Sequence, residues 1–135
     1  MRRLGRSGLE VSALALGAMN FGMPGWGCDE DEAQRILAVY SDAGGNFLDT
    51  ANIYAGGDSE RILGRPVAGR RSEFVIASKV GLTLPGQSSG LAPDAIRAAL
   101  LATLDRLGTD YLDLLQIHAS TRALPNANSP LLERV

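Results

Sequence analysis

The sequence predicts an α/β fold built on a parallel sheet, and within that class part of a (β/α)8 barrel. Three observations predict it. Short apolar runs alternate with amphipathic stretches of helical period, giving the order strand, helix, strand, helix, strand, helix, strand. The runs are largely apolar and short enough to be buried on both faces. Finally, Asp49, Lys79 and His118 each stand where an apolar run gives way to a loop. Composition alone leaves an open doubly wound sheet as an alternative. Barrel enzymes carry their working groups at the C-terminal ends of several strands, so these three coincidences favour the barrel.

The elements follow in order. Leu4 to Val11 has a polar, glycine-containing centre between apolar flanks and reads as a small hairpin. Val11 to Gly17 reads as a buried strand, and Asn20 to Cys28, rich in Gly and Pro, as a loop. Asp29 with Glu32 three residues on forms an N-terminal cap. Behind it Ala33, Ile36, Leu37, Tyr40 and Ala43 recur at helical spacing until Gly44 and Gly45 end the helix. Phe47 to Asp49 is a short strand, followed by a polar loop through Gly57. A brief helix opens near Ser59 with Ile62 and Leu63 on its apolar side, and Pro66 is expected to stop or bend it. Phe74 to Ser78 is a third strand, and Gly81 to Gly90 a loop. Pro93 suits a first helical position, Asp94 the positive end of the dipole, and Ile96, Leu100, Leu104 and Leu107 form one stripe that Gly108 closes. Tyr111 to Ile117 is the fourth strand.

Composition excludes several function classes. With 135 residues, 45% apolar side chains and a formal net charge of −2, the chain makes at most one globular unit. No Lys/Arg run exceeds the pair Arg70-Arg71, which argues against nucleic acid as a partner. The single Cys28 has no internal disulfide partner, and no Cys/His cluster has metal-ligand spacing. A reducing, cytoplasmic location and a site without metal are expected. Arg2 and Arg3 before an apolar stretch imitate a signal peptide, but Glu10 interrupts it, and nothing approaches the roughly 18 apolar residues of a membrane helix.

Each polar strand-end residue has an ordinary reading: Asp49 as a helix cap, His118 as a satisfied core histidine, Tyr54 as a cover for apolar surface. Lys79 is harder to place so, because an ammonium at a strand end needs a carboxylate to offset its desolvation, and Asp49 could supply one. Taken together they suggest a phenol beside an ammonium, the ammonium beside a carboxylate, and an imidazole opposite. A cation within about 4 to 6 Å of a phenol favours loss of its proton, and proton transfer by a positioned group is worth a factor of about 100 to 10,000. Such a site moves protons but holds no reductant, so a cofactor must bring a hydride.

The stretch Gly45-Asn46-Phe47-Leu48-Asp49-Thr50-Ala51-Asn52-Ile53-Tyr54, with Ser59-Glu60 and Leu63-Gly64 behind it, resembles the aldo-keto reductase signature in the form shared by bacterial members and potassium-channel β-subunits. Val75 to Lys79 resembles that family's lysine strand, Leu104 to His118 its histidine strand, and Arg3 to Ser12 the hairpin that closes its barrel floor. The resemblance covers residues 3 to 118 and implies an NADP(H)-dependent (β/α)8 barrel that reduces aldehydes and ketones. Tyr54 would be the proton donor, Lys79 and Asp49 would tune it, and His118 would orient the carbonyl. It also implies Gly17, Ala18 and Met19, with Asp49, near the nicotinamide, and Trp26 against the substrate; many members have Thr where Ala18 stands. Cys28 is expected to be inert.

Members of that family run to twice this length or more, so the resemblance implies the N-terminal half of a barrel: four of eight strands, over residues 1–118, without the basic residues that grip the cofactor's 2′-phosphate. Residues 119–135 depart from the family's pattern and are expected to be a tail left by truncation, frameshift or deletion. Open first and fourth strands invite self-association or pairing with a second half-barrel chain. On this reading the isolated chain has little or no reductase activity. A non-catalytic module that keeps the motifs by descent is the alternative.

Overall fold

A computed structural model describes residues 1–82 and 90–118. Most of the Gly81 to Gly90 loop and the expected tail, 119–135, lie outside the described residues. Strands β1 (Arg2–Arg3) and β2 (Glu10–Val11) form an antiparallel hairpin. There follow β3 (Ala15–Gly17), α1 (Glu30–Asp42), β4 (Phe47–Asp49), a 3-10 turn (Tyr54–Gly57), α2 (Asp58–Val67), a second 3-10 turn (Arg71–Glu73), β5 (Val75–Val80), α3 (Pro93–Leu107) and β6 (Leu114–Ile117). The four later strands make one parallel sheet in the order β3-β4-β5-β6, each joined to the next through a helix, as the alternating pattern predicts. Among the described residues no helix is long and apolar enough to cross a membrane.

Caps and close approaches explain where the helices sit. Asp29 accepts from the Glu32 amide at 2.9 Å, and Ala33 and Leu37 bury the inner face of α1. The helix α2 ends one residue beyond Pro66, as expected of a stop, with no bend before it. Pro66 lacks the N–H that would bond the Ile62 carbonyl, and Ala68 N–H closes the last turn onto the Gly64 and Arg65 carbonyls. Helices α2 and α3 meet at Gly64: a Cβ there would stand 2.3 Å from the Leu107 carbonyl oxygen, so only glycine lets the two backbones approach this closely. The core joins Leu48 and Ile76 of the sheet to Leu37, Leu63, Val67 and Leu107 of the three helices.

Three strand expectations need correction. The run Val11 to Gly17 is not one buried strand: Val11 belongs to the hairpin, only Ala15–Gly17 pair with β4, and Leu14 is 78% exposed. Burial on both faces holds for β5, where five of six residues are buried, but not for β3 or β6. Strands β3 and β6 are edges, whereas β5 lies between two strands; β4, also an inner strand, buries only Leu48. Strand β6 is also shorter than predicted, since Asp113 is taken up in side-chain bonds to β5.

Candidate active site

The sheet's register sets the site. Gly17, Asp49 and Ala77 lie abreast across β3, β4 and β5, and Lys79 pairs with Gln116 on β6, two residues before His118. The C-terminal strand ends therefore deliver their polar residues to one pole. Beyond β4 the backbone stays tied to β5, through Thr50 N–H to the Ala77 carbonyl and Asn52 N–H to the Lys79 carbonyl, which carries Tyr54 across the strand ends. After Tyr54 the chain reverses through Ala55, Gly56 and Gly57 at φ 49°, 66° and 101°, three left-handed residues in succession. Glycine adopts this freely, but for Ala55 it costs on the order of 1 kcal/mol.

The four predicted side chains come together. Lys79 Nζ donates to Asp49 Oδ2 at 2.6 Å and to the Thr50 carbonyl at 2.8 Å. The same ammonium lies 5.2 Å from the centre of the Tyr54 ring. The Tyr54 and His118 rings meet edge to face, 5.5 Å between centres at 88°. The His118 amide is fixed by the Val80 carbonyl, while its Nδ1 is buried without a hydrogen-bond partner among the described residues. Burial lowers the His118 pKa below its ordinary value, and the Lys79 charge lowers it further against a smaller opposite pull from Asp49, so the imidazole is held neutral.

Gly17, Ala18 and Met19 border this group. Gly17 has open space above its Cα and Met19 is half exposed, whereas Ala18 is wholly buried, its N–H on the Asp49 carbonyl and its own carbonyl taken by Ser59 Oγ at 2.6 Å. Trp26 is mostly exposed. Cys28 packs beside the core, and burial raises its thiol pKa, the direction of an unreactive thiol.

Beneath the four lies a layer of polar side chains that sequence reasoning passed over. Ser59 and Glu60, in the first turn of α2, are both fully buried. Ser59 also bonds Thr50 Oγ1 at 2.9 Å, while Glu60 accepts from Ser78 Oγ at 2.5 Å and from Arg106 Nε at 2.6 Å. One available signal pointed at the site: among thirteen basic residues, Lys79 is the only lysine.

Comparison with known proteins agrees with this architecture. The model of the aldo/keto reductase family matches residues 13–134. Norsolorinic acid reductase of Aspergillus flavus is 39% identical over 83% of this chain and 32% of its own length. A protein named "Probable voltage-gated potassium channel subunit beta" in Arabidopsis thaliana is 40% identical over 99% of this chain and 40% of its own. Among solved structures, an aldo-keto reductase from Klebsiella pneumoniae in complex with NADPH superposes with a TM-score of 0.70 at 30% identity, over 84% of this chain and 37% of that one. The chain thus spans about a third to two fifths of the length of the curated relatives it matches, and its sheet is a partial barrel. On the family match and these identities, this chain belongs to the aldo/keto reductase family.

Proposed function

We propose that this chain carries the acid-base half of an NADPH-dependent carbonyl reductase, with Tyr54 as proton donor. The observation that carries the reading is the contact series Asp49, Lys79, Tyr54, His118 at one pole of the sheet. A nicotinamide cofactor, when bound, supplies the hydride that reduces an aldehyde or ketone. The chain's own residues handle the proton and the carbonyl. Asp49 and the Thr50 carbonyl fix the Lys79 ammonium beside the Tyr54 ring, and the Tyr54 hydroxyl gives its proton to a carbonyl oxygen gaining negative charge. His118, held neutral and with Nδ1 unsatisfied among the described residues, offers a hydrogen-bonding group that a substrate oxygen could engage. Gly17 and Met19, next to this group and open above, fit the nicotinamide end of the cofactor. The lone cysteine suits a reducing, cytoplasmic compartment.

Strands β3 and β6, edges of the sheet among the described residues, also call for a wall opposite the site, and we infer that a second copy or a second half-barrel chain supplies it. Titrating NADPH into the purified chain by cofactor fluorescence, with the oligomeric state recorded on the same sample, tests both points. Saturable binding by an assembled species is expected. In that species Tyr54→Phe lowers turnover of a carbonyl substrate by a factor of about 100 to 10,000. Retained turnover would remove Tyr54 from its role, and no binding at millimolar NADPH would leave a non-catalytic module.

A further inference from the structure

Lys79 is aimed from a strand whose preceding residue is anchored on the opposite face. Successive side chains of a strand point to opposite sides. Ser78 is fully buried and turns toward α2, where its hydroxyl donates to Glu60 Oε1 at 2.5 Å. Lys79 turns the other way, to Asp49 and the Thr50 carbonyl. The anchor is itself held: Glu60 Oε2 accepts from Arg106 Nε at 2.6 Å, Arg106 Nη2 reaches Thr103 Oγ1 at 3.3 Å, and the side chains of the pair are 0% and 6% exposed. A carboxylate and a guanidinium this deeply buried are costly to desolvate and are placed for something besides net stability.

The guanidinium end also reaches the other side of the site. A Cβ on Gly57 would stand 2.8 Å from Arg106 Cδ and 3.1 Å from its Nε, so the Arg106 side chain forms the floor beneath the left-handed turn that follows Tyr54. One ion pair therefore touches the side chain next to the ammonium's residue and the backbone of the turn behind the phenol. Ammonium and phenol are the two groups whose separation governs how strongly one acts on the other.

We propose that Glu60 and Arg106 are positioning residues, a buried ion pair that fixes Lys79 through Ser78 and the Tyr54 turn through Gly57. The assignment rests on the reductase reading for its meaning, but its test does not. Lys79 is the only lysine, so chain labelled with 15N-lysine gives a single side-chain ammonium resonance, and reductive methylation with formaldehyde and a borohydride reports on that one side chain and the N-terminus, which mass mapping separates. Two variants are compared with the parent: Ser78→Ala, which cuts the link and keeps the ion pair, and Glu60→Gln/Arg106→Met, which removes both charges. Tyr40→Phe, at the other end of the sheet, serves as the control for lost stability alone.

With far-UV circular dichroism unchanged, we expect the Lys79 ammonium resonance to shift or broaden away in both site variants. Its methylation should quicken about tenfold, the equivalent of one lost charge-assisted hydrogen bond. The Tyr40→Phe control should leave both unchanged. If the double variant does not fold, Ser78→Ala alone decides. A folded Ser78→Ala chain whose Lys79 resonance and methylation rate match the parent overturns the assignment, as does an equal response in the control. Neither readout uses cofactor or turnover. A chain whose Lys79 responds but which binds no NADPH keeps the positioning pair and loses the reductase reading, and the reverse pattern does the opposite.

Discussion

The two ends of the parallel sheet are built from similar residue types used in opposite ways. At the N-terminal end, polar side chains are spent on backbone. Asn46 takes the Ser12 amide at 2.7 Å and donates to the Glu10 carbonyl, tying hairpin to sheet. The Tyr40 hydroxyl lies between the Leu14 and Phe47 carbonyls and accepts from the Phe47 amide. Even the ion pair there points at main chain, since Asp113 also accepts from Ile76 N–H and Arg71 donates to the Phe74 and Tyr111 carbonyls. At the C-terminal end, side chains mostly bond one another: Lys79 to Asp49, Glu60 to Ser78 and Arg106. The difference teaches where each end is vulnerable. A lost side chain at the first end frees backbone groups that water can reach, whereas at the second it strands a charge.

Three perturbations test that contrast. The largest effect is expected from Glu60→Gln alone, which leaves the Arg106 guanidinium buried without its carboxylate. A loss of about 3 to 5 kcal/mol is expected by denaturant titration, and a loss under about 1 kcal/mol would place the pair nearer water than its burial implies. Tyr40→Phe, which removes a neutral hub of several bonds, is expected to cost about 1 to 3 kcal/mol while leaving the Lys79 resonance in place. A matching disturbance of Lys79 would show that the two ends are not independent.

The smallest effect concerns pH. His118 is the only histidine, and its folded pKa lies below the ordinary value near 6.5 because of burial and the Lys79 charge. The unfolded chain then binds the proton more readily, so this contribution is complete above about pH 6.5 and is lost as pH falls from there through the folded pKa. A shallow decline in melting temperature below pH 6.5 is expected in the parent and not in His118→Gln. An equal decline in both would assign it to carboxylates instead.

Much of this was legible in the sequence. Helical and strand periods announced the alternating order, and Asp49, Lys79 and His118 stood out because a polar residue ending an apolar run has no local reason to be there. What was illegible depends on neighbours distant in the chain. Nothing near Leu14 tells that it stands outside the strand, just before the edge β3. Nothing near Arg106 distinguishes a buried guanidinium from the exposed arginines on other helices, since both occupy a helix with ordinary spacing. Glu60 was visible only as a letter in the signature, because a Glu in a first helical turn is ordinarily a solvated partner of the dipole. Pro66 marked the end of its helix to within one residue, because a missing N–H acts locally.

The left-handed run from Ala55 to Gly57 carries a stereochemical consequence. Over these three residues the backbone follows the mirror image of an ordinary helical turn, and two of the three are glycines, which have no handedness. Ala55 is thus the one position in the run at which an L-amino acid opposes its own chain direction, and a D-alanine there, introduced by chemical synthesis, would match the path without adding the freedom that glycine brings to the unfolded chain. The turn that delivers Tyr54 to the pole is in this sense a short heterochiral element, written with the only achiral residue that translation offers.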